Sequence, residues 1–421
     1  METKNALTPL PRSVSLVHAG NPSPPSHFSR NVTLLSVSTL TIMSGATISA
    51  SLPGIAARFA DLPNVELLSR LVLTLPALFI AVFAPVAGLI IDRYGRKPLL
   101  IVTLLLFATA GCSGLFADSL FGLLAGRAVL GIAVGGIMTT ATALVGDFFA
   151  GTERDRYMGL QQAFVGIGGT IFLTGGGFMA ELHWRAPFLI YALAFLLLPA
   201  ALAFIREPAR SAATRTRTRT RTRTAADSLG THGALLLAVL LIGAVLNMVA
   251  FYMIPTQLPF YLESLGIEAP SLAGMAIGLG QLVGIASSLV FARFRQMLGV
   301  MGVFALAFGS MGAAFVLLSV AGTYAGILLA MAVSGIGMGT IMPNFAGAAM
   351  LLASPALRGR ISGLLVASIF TGQFLSPLLS QPLIAVKGYA ATYGMAGLML
   401  LVFAFGSLAV RLSPRLRDAA T

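Results

Sequence analysis

Arg127 is the one charge set well inside a long apolar stretch of the chain, within "RAVLGIAVGG" (127–136). Arg127, Gly131 and Gly135 are spaced by four, so they share one stripe of a helix. Two chemistries suit a guanidinium so placed. It can pair with an anionic ligand, or it can tune a nearby proton site, for which Glu181 is the candidate carboxylate. A third use is structural, a tie to backbone carbonyls. The other charged constellation is "GLIIDRYGRK" (88–97), which reads Gly88-x-x-x-Asp92-Arg93-x-Gly95-Arg96-Lys97. It describes a tight basic turn in which Gly88 allows close helix approach and Gly95 permits a positive φ angle.

Other chemistries lack their residues. His18, His27, His183 and His232 are scattered, and Cys112 is the single cysteine, so neither a disulfide framework nor a zinc-type spacing arises. No Ser/His/Asp arrangement and no nucleotide-binding signature is present. "GIGMG" (335–339) imitates a phosphate loop, but it lies in an apolar stretch where glycines let helices pack. Neither a cofactor nor a metal nor an enzyme activity is expected.

The elements that must hold these residues are set by composition. The chain is 57% hydrophobic and 10% charged, whereas soluble domains run at about 45–50% apolar and about 25% charged. Stretches of about 20 apolar residues, enough to cross a bilayer, fall near 34–54, 70–91, 98–116, 121–145, 159–180, 187–205, 233–254, 271–291, 300–320, 324–347, 362–385 and 390–410. Lipid forces backbone polar groups to pair within a segment, so these spans are helices. At Arg127 a cation is costly in such a setting, by about 2.5–3.5 kcal/mol on insertion scales, which favours a functional role. None of the 14 carboxylates falls clearly at a membrane midplane; Asp147 and Glu181 lie nearest to spans.

An even number of spans puts both termini on one face. Of the 27 basic residues, 22 lie on that face, which the positive-inside rule makes cytoplasmic. The other face holds Arg58, Arg70, Arg185 and Lys387. The middle loop carries "TRTRTRTRTRT" (214–224), read as an extended, disordered tract that adds topological weight and loose attraction to anionic lipid. No aromatics interleave with its arginines, so a nucleic-acid partner is not expected.

The chain repeats itself. "RAVLGIAVGGIM" (127–138) aligns with "MAVSGIGMGTIM" (331–342), so that Gly131 and Gly135 recur 204 positions later as Gly335 and Gly339, and Met331 takes the place of Arg127. All four glycines are assigned to helix packing. The domain reading is a disordered cytoplasmic tail (1–30), a six-helix bundle (31–205), a basic cytoplasmic linker (206–232), a second six-helix bundle (233–410) and a cytoplasmic tail (411–421). The fold class is an all-α membrane protein with twelve transmembrane helices in two pseudo-symmetric bundles, an architecture of carriers.

The 88–97 turn resembles the loop signature of the major facilitator superfamily, and span four and "HWRAPF" (183–188) resemble its bacterial drug–proton antiporter branch. Span five lacks the Gly-Pro pair usual in that branch, and in the second half "SLVFARFRQ" (288–296) sets Ala292 at the place of Asp92. The resemblance implies two bundles rocking about a midplane cavity. It implies a conformational latch in which Asp92 sits against the start of span eleven and Arg96 pairs with Asp147. Polar candidates for the cavity are Gln161, Gln162, Asn247, Gln281, Asn344 and Gln373, with Tyr252 adding aromatic contact.

The leading expectation is therefore a monomeric secondary transporter in a bacterial inner membrane, exporting small amphipathic or drug-like molecules with protons as the coupled ion. Uptake or passage of a small organic anion, with Arg127 as counter-charge, is a second reading. A transporter-fold sensor is a third.

Overall fold

The computed structural model describes residues 27–208, 230–354 and 357–412, and the regular elements among them are helices. The arginine tract and the terminal stretches 1–26 and 413–421 lie outside the described residues. The first half comprises α1 (His27–Ala46), α2 (Leu52–Arg58), α3 (Val65–Tyr94), α4 (Arg96–Cys112), α5 (Leu120–Phe148), α6 (Gly151–Leu182) and α7 (Leu193–Phe204). The second comprises α8 (Thr231–Ser264), α9 (Pro270–Leu289), α10 (Phe291–Val320), α11 (Tyr324–Leu352) and α12 (Arg358–Leu412).

Eleven helical stretches among the described residues are long and apolar enough to cross a membrane. The last runs for 55 residues, or about 80 Å at 1.5 Å per residue, more than twice the hydrocarbon thickness of about 30 Å. It is broken at Gly388 (φ 78°, ψ 172°), so α12 makes two crossings and the total is twelve. The first crossing is itself composite: a 3-10 turn at Ser49–Ser51 links α1 to α2.

The repeat seen in the sequence is carried by the backbone. Helices α5 and α11 are both 29 residues long and start and end 204 positions apart. Their caps match too. Ser119 accepts from Gly122 N at 3.0 Å, and Thr323 accepts from Gly326 N at 3.3 Å, which satisfies one free donor at each helix start. Gly95 (φ 103°) and Gly299 (φ 68°) are likewise 204 apart, and each ends one helical run and opens the next. This shifts the alignment made from the sequence: Gln296, rather than Ala292, stands opposite Asp92.

Each half has its own core. Leu40, Val72, Phe107 and Leu130 belong to the first, and Met253, Phe315, Met331 and Tyr393 to the second. The halves meet chiefly where α6 packs on α9 and α3 on α12. Glycines allow the first of these contacts: a Cβ on Gly274 would lie 2.8 Å from the Leu173 carbonyl.

Candidate functional site

A cavity of about 70 Å³ lies where the halves meet, walled by α1, α6, α8, α9 and α11. Its lining is apolar and aromatic, with Phe251, Ile277, Met331 and Met338 prominent, and carries no charged residue among the described ones. The polar groups on it are Tyr252, Gln281 and Ser334. Tyr252 also hydrogen-bonds Gln373 on α12. Of the residues assigned to the cavity from the sequence, Tyr252 and Gln281 line it and Gln373 stands behind Tyr252.

The remaining candidates lie elsewhere. Gln161 donates to Ser38 Oγ at 2.7 Å, joining α6 to α1, and Gln162 is exposed. Asn344 Oδ1 accepts from Arg295 at 2.6 Å, and its amide donates to the Val300 carbonyl at 3.0 Å, so it ties α11 to the two sides of the Gly299 break. Asn247 is wholly buried on α8, and neither polar atom of its side chain has a partner among the described residues.

Arg127 is 1% exposed and sits inside the first half. Its Nε donates to the Val72 carbonyl at 2.8 Å, one terminal nitrogen donates to the Tyr191 hydroxyl at 2.9 Å, and the other donates to the Ser44 carbonyl. Tyr191, in the 3-10 stretch Ala186–Ala192, in turn reaches the Met43 carbonyl at 3.2 Å. One guanidinium thus ties α1, α3, α5 and the entry to α7. The structure does not bring Arg127 to the cavity lining or to Glu181. Glu181 instead accepts a hydrogen bond from Ser271, across the α6–α9 contact.

The turn at 88–97 is built around a carboxylate that the sequence reading passed over. Glu207, just past α7, accepts from Arg96 N at 2.8 Å and Lys97 N at 2.6 Å, occupying the positive end of α4. Gly95 is required twice over: its φ of 103° suits glycine, and a Cβ would lie 2.7 Å from the Glu207 carboxylate. Arg96 Nε donates to Asp147 Oδ2 at 2.9 Å, the pair implied by the resemblance. Lys97 Nζ reaches the Leu202 carbonyl at 2.7 Å, and Arg93 lies over the Tyr94 ring. Asp92 is exposed and makes no hydrogen bond or ion pair among the described residues. Gly88 departs from expectation, because nothing lies within 4 Å of where its Cβ would be.

A Cβ on Gly159, Gly359 or Gly363 would likewise meet nothing within 4 Å. The face opposite the described chain ends is tied across the halves. Arg70, 1% exposed, donates to Gln257 Oε1 at 2.6 Å and to the Tyr389 hydroxyl at 3.1 Å, crossing from α3 to α8 and α12. Its guanidinium lies 3.8 Å from the centroid of the Phe260 ring. Glu66 accepts from Gln381 at 2.5 Å, and Ser49 donates to the Pro255 carbonyl. Sequence reasoning treated Arg70 only as a charge on the sparser face. The signal available was its place four residues after Glu66, at the mouth of a span.

Twelve crossings in two repeated halves about an interfacial cavity define a membrane transporter rather than an enzyme. The particular family follows from sequence: residues 34–377 match the Major Facilitator Superfamily, and the chain belongs to it. Over 132 residues the chain is 34% identical to Multidrug resistance protein 1 of Bacillus subtilis, covering 31% of this chain and 34% of that protein. Over 161 residues it is 30% identical to the class C tetracycline resistance protein of Escherichia coli, covering 38% and 40%. The chain thus spans between a third and two fifths of these relatives' lengths. Among solved structures, a D-xylose-proton symporter superposes with a TM-score of 0.69 at 17% identity, over 90% of this chain and 97% of that one. A POT family transporter in complex with a thioalcohol conjugated peptide gives 0.74 at 15% identity, over 92% and 96%. At these identities the likeness is one of fold.

Proposed function

We propose that the protein is a secondary active exporter of small amphipathic molecules, driven by proton antiport across a bacterial inner membrane and working by alternating access. The observation that carries this reading is the asymmetry between the two faces. The cross-half hydrogen bonds at Ser49, Glu66, Arg70 and Glu181 all lie toward one face and hold that mouth together, whereas Asp92 on the other face is exposed. With the face richest in basic residues read as cytoplasmic, both termini lie there and the bonded mouth is the outer one, which supports reading this state as inward-facing. Export is favoured by the bacterial relatives, which are drug-resistance proteins by name.

In this mechanism the Arg96–Asp147 pair and the Glu207 cap keep the cytoplasmic end of the first half rigid. Asp92 on its tip is free to meet the start of the eleventh crossing when that side closes. Coupling to protons falls to carboxylates that bridge the halves. Glu181 and Glu66 each accept a hydrogen bond from the opposite half.

The test is transport in proteoliposomes, with an imposed pH gradient, of tetracycline and a panel of lipophilic dyes. Uphill movement that collapses with the gradient supports the reading. Movement indifferent to both pH and membrane potential would sink the antiport assignment.

A further inference from the structure

The cavity's polar groups are unevenly supplied. Ser334 on α11 lines it, is 0% exposed, and its hydroxyl has no hydrogen-bond partner among the described residues. Asn247 on α8 is also 0% exposed, and neither its amide nitrogen nor its oxygen has a partner among the described residues. Asn247 lies four and seven residues before Phe251 and Ile254, which line the cavity, so it occupies the same stripe of α8 one turn deeper. A buried polar group left unmade costs about 1–3 kcal/mol; such atoms occur in both halves among the described residues, but of them only Ser334 lines the cavity, with Asn247 on the adjoining stripe. Around Ser334 the wall is aliphatic, aromatic and thioether: Ile277, Phe251, Met331 and Met338. The charge that could have served an ion, Arg127, is fully engaged with carbonyls and a tyrosine in the other half.

We infer that Ser334 and Asn247 form the anchoring subsite for substrate, and that the substrate is an uncharged aromatic molecule presenting one hydrogen-bonding group, such as an amide, a ketone or a hydroxyl. The inference rests on the carrier reading above and narrows it. An ion would enter a wall with no counter-charge. A neutral aromatic body gains from the ring and sulfur contacts, and its polar group satisfies atoms that otherwise stay unpaired. Met331 and Met338 bracket Ser334 on one stripe of α11, which sets the aromatic body beside the hydroxyl. Discrimination follows from the unpaired groups: a ligand lacking the polar function leaves them unmade.

The experiment is equilibrium dialysis against the full chain in lipid nanodiscs, with empty nanodiscs as the blank. The probes are benzanilide, benzophenone and benzhydrol, each beside its ring-carboxylate and ring-trimethylammonium derivative. At least one neutral probe should bind saturably, and its charged derivatives at least about tenfold more weakly, one such step in free energy being about 1.4 kcal/mol. Ser334→Ala and Asn247→Leu should each weaken that probe by about five- to tenfold. Asn247→Leu should also leave the melting temperature unchanged or raised, because it replaces unpaired groups with an apolar shape. Ser334→Ala, a one-atom deletion, keeps the test usable if the leucine variant misfolds. Charged derivatives binding as tightly as the parents, no saturable neutral probe, or unchanged affinity in Ser334→Ala would each overturn the assignment. Binding needs no gradient. Binding as expected without pH-driven transport would therefore refute the antiport reading and leave this one standing, whereas pH-driven movement of a charged dye without neutral binding would do the reverse.

Discussion

Arg70 and Gln257, 187 positions apart and in opposite halves, meet at 2.6 Å in a setting where the arginine is 1% exposed. Around them Gln257 donates to Ser380 at 2.9 Å and Tyr389 accepts from Arg70, so one guanidinium organises a buried polar seam between α3, α8 and α12. In the alternating-access reading proposed above, this seam holds that mouth shut and would be broken on its opening.

Arg70→Ala should therefore unlock the mouth. It leaves Gln257 Oε1 short of its donor, a loss of about 1–3 kcal/mol for the closed state. Spin labels on the opposite-face ends of α3 and α8 should show a longer mean separation, and transport should fall. Arg70→Lys should recover little, because an ammonium lacks the planar fork that reaches Gln257, Tyr389 and the Glu66 carbonyl together. An unchanged distance distribution in Arg70→Ala would show that the seam does not hold the mouth.

The 88–97 turn separates into two functions. Asp147→Asn removes a part-exposed ion pair, 20% and 30% exposed on its two sides, and should cost no more than about 1 kcal/mol of stability. Glu207→Gln should cost more, since it weakens two hydrogen bonds at the positive end of α4. Asp92→Asn touches neither contact. It should leave the melting temperature alone, slow turnover and spare ligand binding. Normal turnover in Asp92→Asn would remove this residue from the gating cycle.

Arg127→Ala is expected to act on folding before function. It strips donors from the carbonyls of Val72 and Ser44 and from Tyr191, within a core shared by α1, α3 and α5. Thermal unfolding should drop, by about 1–3 kcal/mol for each group left unpaired, less whatever water replaces. Arg127→Lys should restore one contact and part of the loss. If Arg127→Ala kept full stability yet lost only pH-driven transport, the coupling reading of Arg127 would win over the structural one.

How much of this was legible in the sequence depended on the range of the cause. Helix positions were legible because lipid leaves the backbone no other partner, and the repeat was legible because Gly131 and Gly335 face the same packing demand. The turn at Gly95 was legible because a positive φ selects glycine. Arg70's role was not, because its partners Gln257 and Tyr389 lie 187 and 319 positions away and no local period points to them. Glu207 was missed for the same reason: it caps Arg96 from 111 positions on. Asn344 shows the converse. As a polar residue in an apolar span it looked like cavity lining, but depth along α11 brings it to Arg295.

The repeat supplies an internal control for the packing glycines. Gly131 and Gly335 are equivalent, and both are tight: an added Cβ would lie 2.4 Å from the Pro76 carbonyl in one half and 2.5 Å from the Gly280 carbonyl in the other. Gly135 and Gly339 are also equivalent, yet they differ. At Gly135 the nearest atoms, in Ile80 and Ala84, are 3.5 Å away, an ordinary contact. At Gly339 the Gly284 carbonyl would be 2.0 Å away and Ser287 Cβ 2.8 Å, and the first is backbone that moves only with α9. Gly135→Ala should thus be neutral or gain up to about 1 kcal/mol from helix propensity. Gly339→Ala should lose about 1–3 kcal/mol by overpacking. It should also disturb ligand binding, because pushing α11 from α9 displaces Met338 and Gln281 on the cavity wall. Melting curves of the two variants side by side decide the point. Equal shifts would mean that the halves pack alike at this level and that the closer approach of α9 to α11 is not a feature of the folded protein.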